Sequence, residues 1–300
     1  MEKPKKFKAT QLTGKTRLDK FVNEKLDVSR SQIKKMIEAG QILVNDKQPS
    51  VHEFLNEGDV IEVHIKKTKT KKLPKIKILA EESGYVVIEK PAGVLVHSTD
   101  NSNEETIVDW LLKNYPEVKK IGEPGRQGIV HRLDRDTSGV LLLTISNKMH
   151  ESLRNQFHDR EVKKTYLALV HGNLPHMEGE VNKPIGRSSK GRMAARVEKI
   201  SEKDREAITK YKVIQRLRKF DLVEAYPLSG RTHQIRVHLM SLGNPVVGDS
   251  LYTIHGQKEV IDLGRLFLHA TKLEFADLEG NKISVESKLP TKLKQYLKEL

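Results

Sequence analysis

The chain has 300 residues with 54 Lys and Arg against 40 Asp and Glu, a formal charge of +14, and no cysteine. The missing cysteine excludes disulfides, cysteine-type zinc knuckles and thiol nucleophiles, while the charge favours a polyanionic partner, because each neutralised phosphate releases counterions. The longest apolar run, residues 140–145, falls short of the roughly 20 residues of a membrane helix, and no apolar segment follows the basic N-terminus as a secretory signal requires, so a cytoplasmic protein without a membrane partner is expected.

Residues 1–16 are polar and are expected to form a flexible N-terminus. Thr13-Gly14-Lys15-Thr16 is similar to the end of a phosphate-binding loop, but Ala9 stands where that loop needs its first glycine. From Arg17 the apolar residues Leu18, Phe21, Val22 and Leu26 keep helical spacing, and a second helix carries Ile33, Met36 and Ile37. Ser29 and Gln32 have capping-box spacing, and Gly40 is placed to end the helix in a left-handed conformation. Short strands over 41–44 and 60–65, with turn signals at Asn45-Asp46 and Gly58-Asp59, complete an α/β unit over residues 17–65. Arg30, Gln32, Lys34 and Lys35 give the second helix a basic polar face. Arg17-Leu18-Asp19, Ser29-Arg30-Ser31-Gln32-Ile33 and Gly40 through Asn45 make this unit resemble an S4 RNA-binding domain, which implies that the basic face lies against structured RNA.

Residues 66–75 hold six self-repelling lysines with little apolar content and read as a linker. In residues 76–300, strand-like segments recur at 76–80, 85–89, 140–146, 164–170, 207–213, 222–226, 272–275 and 283–286. Helical spacing is found at 106–114, 148–157 and 232–242, with Ile235 and Leu239 inward in the last. Thr209, Tyr211 and Val213 alternate as on a half-buried antiparallel strand, and Glu279-Gly280-Asn281 reads as a hairpin turn. The expected fold is α+β, with a mixed, mostly antiparallel central sheet, beside the small N-terminal α/β unit.

Within this half, residues 128–142 pack His131, Arg132, Asp134, Arg135 and Asp136 between two apolar strand-like runs, which places charged groups on a loop held by buried strands. A metal site does not fit: His233 and His238 are five apart, about 140° around a helix, where ligand pairs need three or four. A serine hydrolase does not fit either, since no Gly-x-Ser-x-Gly elbow is present. A carboxylate mechanism on Asp134 or Asp136 remains, against the plainer reading that these aspartates bond loop amides or pair with Arg132 and Arg135.

Gly128-Ile129-Val130-His131-Arg132-Leu133-Asp134, followed by Asp136-Thr137-Ser138-Gly139, resembles the signature of the RluA family of large-ribosomal-subunit pseudouridine synthases. The resemblance runs from about residue 17 to about residue 290 through further ordered matches. These are Lys90-Pro91-Ala92-Gly93 with Val96-His97, Lys163-Lys164-Thr165-Tyr166, Gly230-Arg231-Thr232-His233-Gln234-Ile235-Arg236-Val237-His238, and Leu266-Phe267-Leu268-His269-Ala270. Glu89, Ser98 and Gln127 depart from the family's commoner residues. The resemblance implies an RNA uridine isomerase needing neither cofactor nor metal, and working as a monomer on 23S ribosomal RNA or a large-subunit precursor. It implies Asp134, Tyr166 and Arg236 as catalytic residues, with Tyr166 stacked on the base and Arg236 paired with Asp134. Arg132, His131, Leu268 and Arg231 would bind substrate, with Arg132 filling the space of the displaced base. Asp136 falls back to loop architecture. A transfer-RNA-directed synthase of the same family, and a catalytically silent RNA-binding or ribosome-assembly protein, are the alternatives.

Overall fold

The computed structural model describes residues 4–10, 12, 14–26, 30–64, 72–98, 104–188, 192–195, 201–254 and 263–300. The chain divides into two compact units, residues 1–72 with 98–104, and residues 73–97 with 105–300.

The first unit runs β1 (Lys5–Lys8), β2 (Thr16–Arg17), α1 (Leu18–Lys25), α2 (Arg30–Glu38), β3 (Ile42–Val44), β4 (Phe54–Leu55) and β5 (Val60–Val63). Leu18, Phe21, Val22 and Leu26 are buried together with Ile33, Ile37, Ile42, Ile61 and Val63, so the helical spacing does build one core. Gly40 takes φ +66°, and the amides of Gly40 and Gln41 bond the carbonyls of Ile37 and Met36, closing α2 where the sequence places its end. Asn45 and Asp46 both have positive φ, the two-residue turn whose twist matches its flanking strands. The flexible N-terminus expected over 1–16 is corrected at Lys5–Lys8, which pair antiparallel with β5. Phe7 turns toward the core while Lys6 pairs with Glu62, so a single apolar residue between lysines carries the strand's alternation. Ser29 of the capping box, Ile65 and linker residues 66–71 lie outside the described residues.

The second unit opens with β6 (Lys77–Glu82), β7 (Tyr85–Lys90), α3 (Ile107–Asn114), a 3-10 turn (Pro116–Lys120), β8 (Ser138–Thr144), α4 (Asn147–His158) and β9 (Lys163–His171). It continues with β10 (Glu178–Asn182), the hairpin β11 (Ile185–Arg187) and β12 (Met193–Ala195), then β13 (Ile208–Arg216), β14 (Phe220–Pro227), α5 (Gln234–Ser241), β15 (Leu268–Ala276), β16 (Lys282–Glu286) and α6 (Thr291–Glu299). Among the described residues, the strand order of the main sheet is β10-β13-β14-β9-β15-β8-β7-β6, with β16 beside β15. Every pairing is antiparallel except β15 with β8, so the expected mixed, mostly antiparallel sheet is what forms.

β7 and β8 read as unbroken apolar runs because both of their faces are covered. Val86, Ile88, Leu141 and Leu143 face α3, through Ile107 and Leu111. Tyr85, Val87, Val140 and Leu142 face α4, through Met149 and Leu153. Thr106 caps α3 in a reciprocal box with Asp109, satisfying donors that the helix start leaves open. β13 shows the expected half-buried alternation, with Thr209, Tyr211 and Val213 inward. β10–β12 and the C-terminal α6 are elements the sequence pattern did not isolate; β10 and β12 have few fully buried positions and so little periodic signal.

Candidate active site

The loop leading into β8 is fastened at several points. Thr144 and Gly128 bond through their backbones at 2.9 Å, and His131 Nε2 accepts the Leu142 amide at 2.9 Å. Its ring stacks on Phe157 at 4.8 Å. Behind the loop, Lys90 is fully buried and donates to the carbonyls of Pro91 (2.8 Å), Val94 (2.8 Å) and Arg135 (3.0 Å). Burial pushes this ammonium down to about 7, with the charges of Asp136 and Asp134 opposing the shift. Gly139 at the start of β8 has φ +118°, and the backbone of Ala270 on β15 lies where its side chain would be. These ties hold Asp134, half-buried, at the mouth of the sheet.

Asp134, Tyr166 and Leu268 line one narrow pocket of 60 Å³, together with Arg132 and Arg231. Their strands make this possible: Tyr166 lies on β9 opposite Ala270, and Leu268 opens β15 opposite Ala168. Arg236 is buried on α5, with Nη1 3.9 Å from Asp134 Oδ2. Its short contacts go elsewhere: Nε and Nη2 each lie 2.7 Å from the carboxylate of Asp249. Burial raises the Tyr166 phenol above its ordinary range and the Asp134 charge adds to this, so the hydroxyl keeps its proton. Asp249 is the residue that sequence reasoning missed. Its signal was an apolar pair, Val246-Val247, followed by Gly248-Asp249, the same run-then-carboxylate pattern that drew attention to Asp134.

The narrow pocket shares Arg132, Tyr166, Ser229 and Gly230 with a cleft of 840 Å³. Arg126, Arg154 and Lys164 line that cleft, and so does His131, which is therefore not a wall of the narrow pocket. Burial brings Lys164 down to about 8. Arg132 is exposed and its Nη1 lies 3.1 Å from His97 Nε2. Arg231 is also exposed, with Nε donating to the Glu206 carbonyl at 3.2 Å. In the first unit, Lys34 is exposed and 3.8 Å from Glu38, whereas the side chains of Arg30, Gln32 and Lys35 lie outside the described residues. Among the described residues no helix is long and apolar enough to cross a membrane, and no group of three potential metal ligands occurs.

Two histidines, His269 wholly buried and His131 half-buried, fix how the site responds to acid. Arg265 donates to Ser138 Oγ at 2.6 Å, so the Ser138 hydroxyl donates in turn to His269 Nδ1 at 2.8 Å, and His269 Nε2 faces the Ser287 carbonyl. Burial lowers His269 to about 4 and, with Lys164 nearby, His131 to about 3. Both rings act as acceptors, a role that protonation removes. Their folded values lie below the unfolded value of about 6.5, so the unfolded chain binds more protons throughout the interval. Stability is therefore full above about pH 6.5 and is lost as pH falls toward 4. Urea melts should show the midpoint falling across that window, less steeply in His269→Asn; a flat midpoint would contradict the neutral network.

Comparison with known proteins gives one consistent family. The model of the family described as RNA pseudouridylate synthase matches residues 84–241, and that of the S4 domain matches residues 16–61. An uncharacterised RNA pseudouridine synthase of Bacillus subtilis is 33% identical over 290 residues, covering 95% of this chain and 94% of that protein. The ribosomal large subunit pseudouridine synthase C of Buchnera aphidicola is 32% identical over 310 residues, covering 97% and 96%. Among solved structures, human RNA pseudouridylate synthase domain containing 4 superposes with a TM-score of 0.59 at 28% identity, covering 74% of this chain and 92% of that one.

Proposed function

The chain belongs to the RNA pseudouridylate synthase family, and on that footing we propose that it isomerises uridine in large-subunit ribosomal RNA with Asp134 as the reacting carboxylate. The reaction breaks the bond between C1′ and uracil N1, turns the base, joins C1′ to C5, releases the C5 proton and leaves N1 protonated, so that product and substrate are isomers. The observation that carries the role of Asp134 is its company: a half-buried carboxylate in a narrow pocket, walled by Tyr166 and Leu268, with the Arg236 guanidinium 3.9 Å away. Tyr166, whose phenol stays protonated, acts through its ring face by stacking on the uracil.

The uridine must leave its stack first, at a cost of about a few kcal/mol. Arg132, exposed where the pocket meets the cleft, fills the vacated space, since a planar guanidinium stacks and donates at once. Arg231 stands at the same mouth, and His131 holds the loop. Arg126, Arg154 and Lys164 follow the flanking phosphates along the cleft, and Arg30, Gln32, Lys34 and Lys35 of the S4 unit add affinity for structured RNA. Domain limits at 17–65 and 76–300, a monomer and a cytoplasmic setting belong to the same reading. The ribosomal target rests on the likeness to the Buchnera synthase, whose name states it.

Tritium release tests the proposal. A 23S ribosomal RNA transcript labelled at uridine C5 should release tritium to a fixed plateau per transcript, and a transfer-RNA transcript should release none. Release from transfer RNA alone would transfer the target to that RNA, and release from neither would overturn both.

A further inference from the structure

The cleft beside the narrow pocket holds groups that do not suit a phosphate track. Besides its cations, it is lined by Glu123, Glu151 and His150. Both glutamates are exposed, and a carboxylate in a cleft that receives a polyanion opposes binding unless something there donates to it. His150 is the firmer sign, because its ring is only 8% exposed yet forms part of the cleft wall. Its Nδ1 lies 2.8 Å from Thr144 Oγ1, and that hydroxyl donates to the Gly128 carbonyl at 3.2 Å. One hydroxyl proton cannot serve both contacts, so Nδ1 carries the ring's hydrogen and donates, and Nε2 is left an acceptor with a bare lone pair. Burial, with Arg154 adding to it and Glu151 opposing, lowers the ring below the ordinary histidine range, so Nε2 stays unprotonated at neutral pH. Among the described residues Nε2 has no hydrogen-bond partner. Nor is it covered from the neighbouring loop: Gly122 stands there, and a Cβ on it would lie 3.3 Å from Nε2 and 3.2 Å from Cε1. Any side chain at that position would cap the nitrogen.

We propose that His150 Nε2, with Glu123 and Glu151, forms a subsite that reads the exocyclic amine of a base neighbouring the target uridine. This rests on the chain isomerising uridine in RNA, as proposed above. An exocyclic amine, on adenine, cytosine or guanine, has two hydrogens, one for the imidazole and one for a carboxylate, whereas a phosphate offers acceptors only. The cleft shares Arg132, Tyr166, Ser229 and Gly230 with the uridine pocket. The next nucleotide of the strand therefore enters the cleft as the uridine enters the pocket, with Arg126 and Arg154 beside its phosphates. Uracil has no amine and is the neighbour this subsite rejects. The enzyme can then choose between uridines by the base beside them, a choice that the walls of the narrow pocket do not make.

The test uses the full chain and a 23S transcript rebuilt by ligation around a synthetic segment that carries the C5-tritiated target uridine. At each flanking nucleotide in turn the amine is removed, with purine riboside for adenosine, inosine for guanosine and pyrimidin-2-one riboside for cytidine. At one position kcat/KM should fall about ten- to a hundredfold, the cost of leaving a desolvated acceptor unpaired. His150→Asn keeps a donor for Thr144 and withdraws the acceptor at Nε2. It should lose as much on the unaltered transcript and no more on the amine-free one, a non-additivity that a general loosening of α4 would not produce. Indifference of the wild type to every amine removal, additive losses in His150→Asn, or a loss on 2′-deoxy substitution with none on amine removal would each overturn the subsite. If His150→Asn does not fold by circular dichroism, Glu123→Gln combined with Glu151→Gln decides, since both side chains are exposed, and undiminished discrimination there overturns it. Absence of tritium release from the unaltered transcript defeats the isomerisation of ribosomal uridine and the subsite with it, whereas release that ignores the amines defeats the subsite alone.

Discussion

Asp134→Asn should abolish pseudouridine formation while leaving a folded protein with undiminished RNA affinity. The substitution keeps the shape of the side chain and removes what the chemistry needs, a negatively charged oxygen. A loss on the order of 10⁴-fold or more in tritium release is expected, the scale seen when an essential group of a covalent mechanism is removed. Folding should survive because Asp134 is not the short-range partner of the buried cation: Arg236 keeps both 2.7 Å bonds to Asp249, so no buried charge is orphaned. Binding should not weaken, since the variant takes one negative charge out of a pocket that receives a polyanion. Filter binding and tritium release on the same preparation check both halves. Activity within tenfold of wild type would remove Asp134 from the chemistry.

The second large effect is on stability. At Gly139 a Cβ would lie 2.1 Å from the Ala270 carbonyl oxygen, and φ is +118°. Neither problem relaxes easily, because the obstructing atom is backbone in the strand paired with β8. Gly139→Ala should cost about 2–5 kcal/mol, combining backbone strain with overpacking, or about 10 °C in melting midpoint for a domain of this size. Activity should fall with it, since Gly139 stands five residues after Asp134 on the same loop-to-strand passage. Gly280→Ala is the control: its φ is +84°, but nothing lies within 4 Å of the added carbon, so only the strain of about 1 kcal/mol applies. Equal melting midpoints for the two variants would contradict the close approach of β8 and β15.

Much of the site was legible because its parts are local. Asp134, Tyr166 and Leu268 each sit in a short run whose pattern marks a strand or its entrance, and the pocket contains all three. What was illegible is non-local. Arg236 was named through the resemblance and not through its pattern, since the residues of its helix from Gln234 to Leu239 are all buried and no polar face marks it off, while its main partner Asp249, thirteen residues away, carries no periodic signal and was missed. Lys90 reads as a surface lysine until the carbonyls of Val94 and Arg135 close around it. β1 escaped for the opposite reason: its partner β5 supplies the order that its own lysine-rich sequence does not show.

The place of β15 in the sheet sets a timetable. Leu268–Ala276 comes late in the chain, yet it lies between β8, which follows Asp134, and β9, which carries Tyr166. Until that strand is inserted, β6, β7 and β8 on one side and β9, β14, β13 and β10 on the other have no shared hydrogen-bonded neighbour. During synthesis, at roughly 5–20 residues per second, Asp134 and Tyr166 are therefore made long before they are brought together. On the function proposed above, the first unit is synthesised well before the pocket is complete, and the entry of β15 into the sheet is the step that joins the two halves of the site.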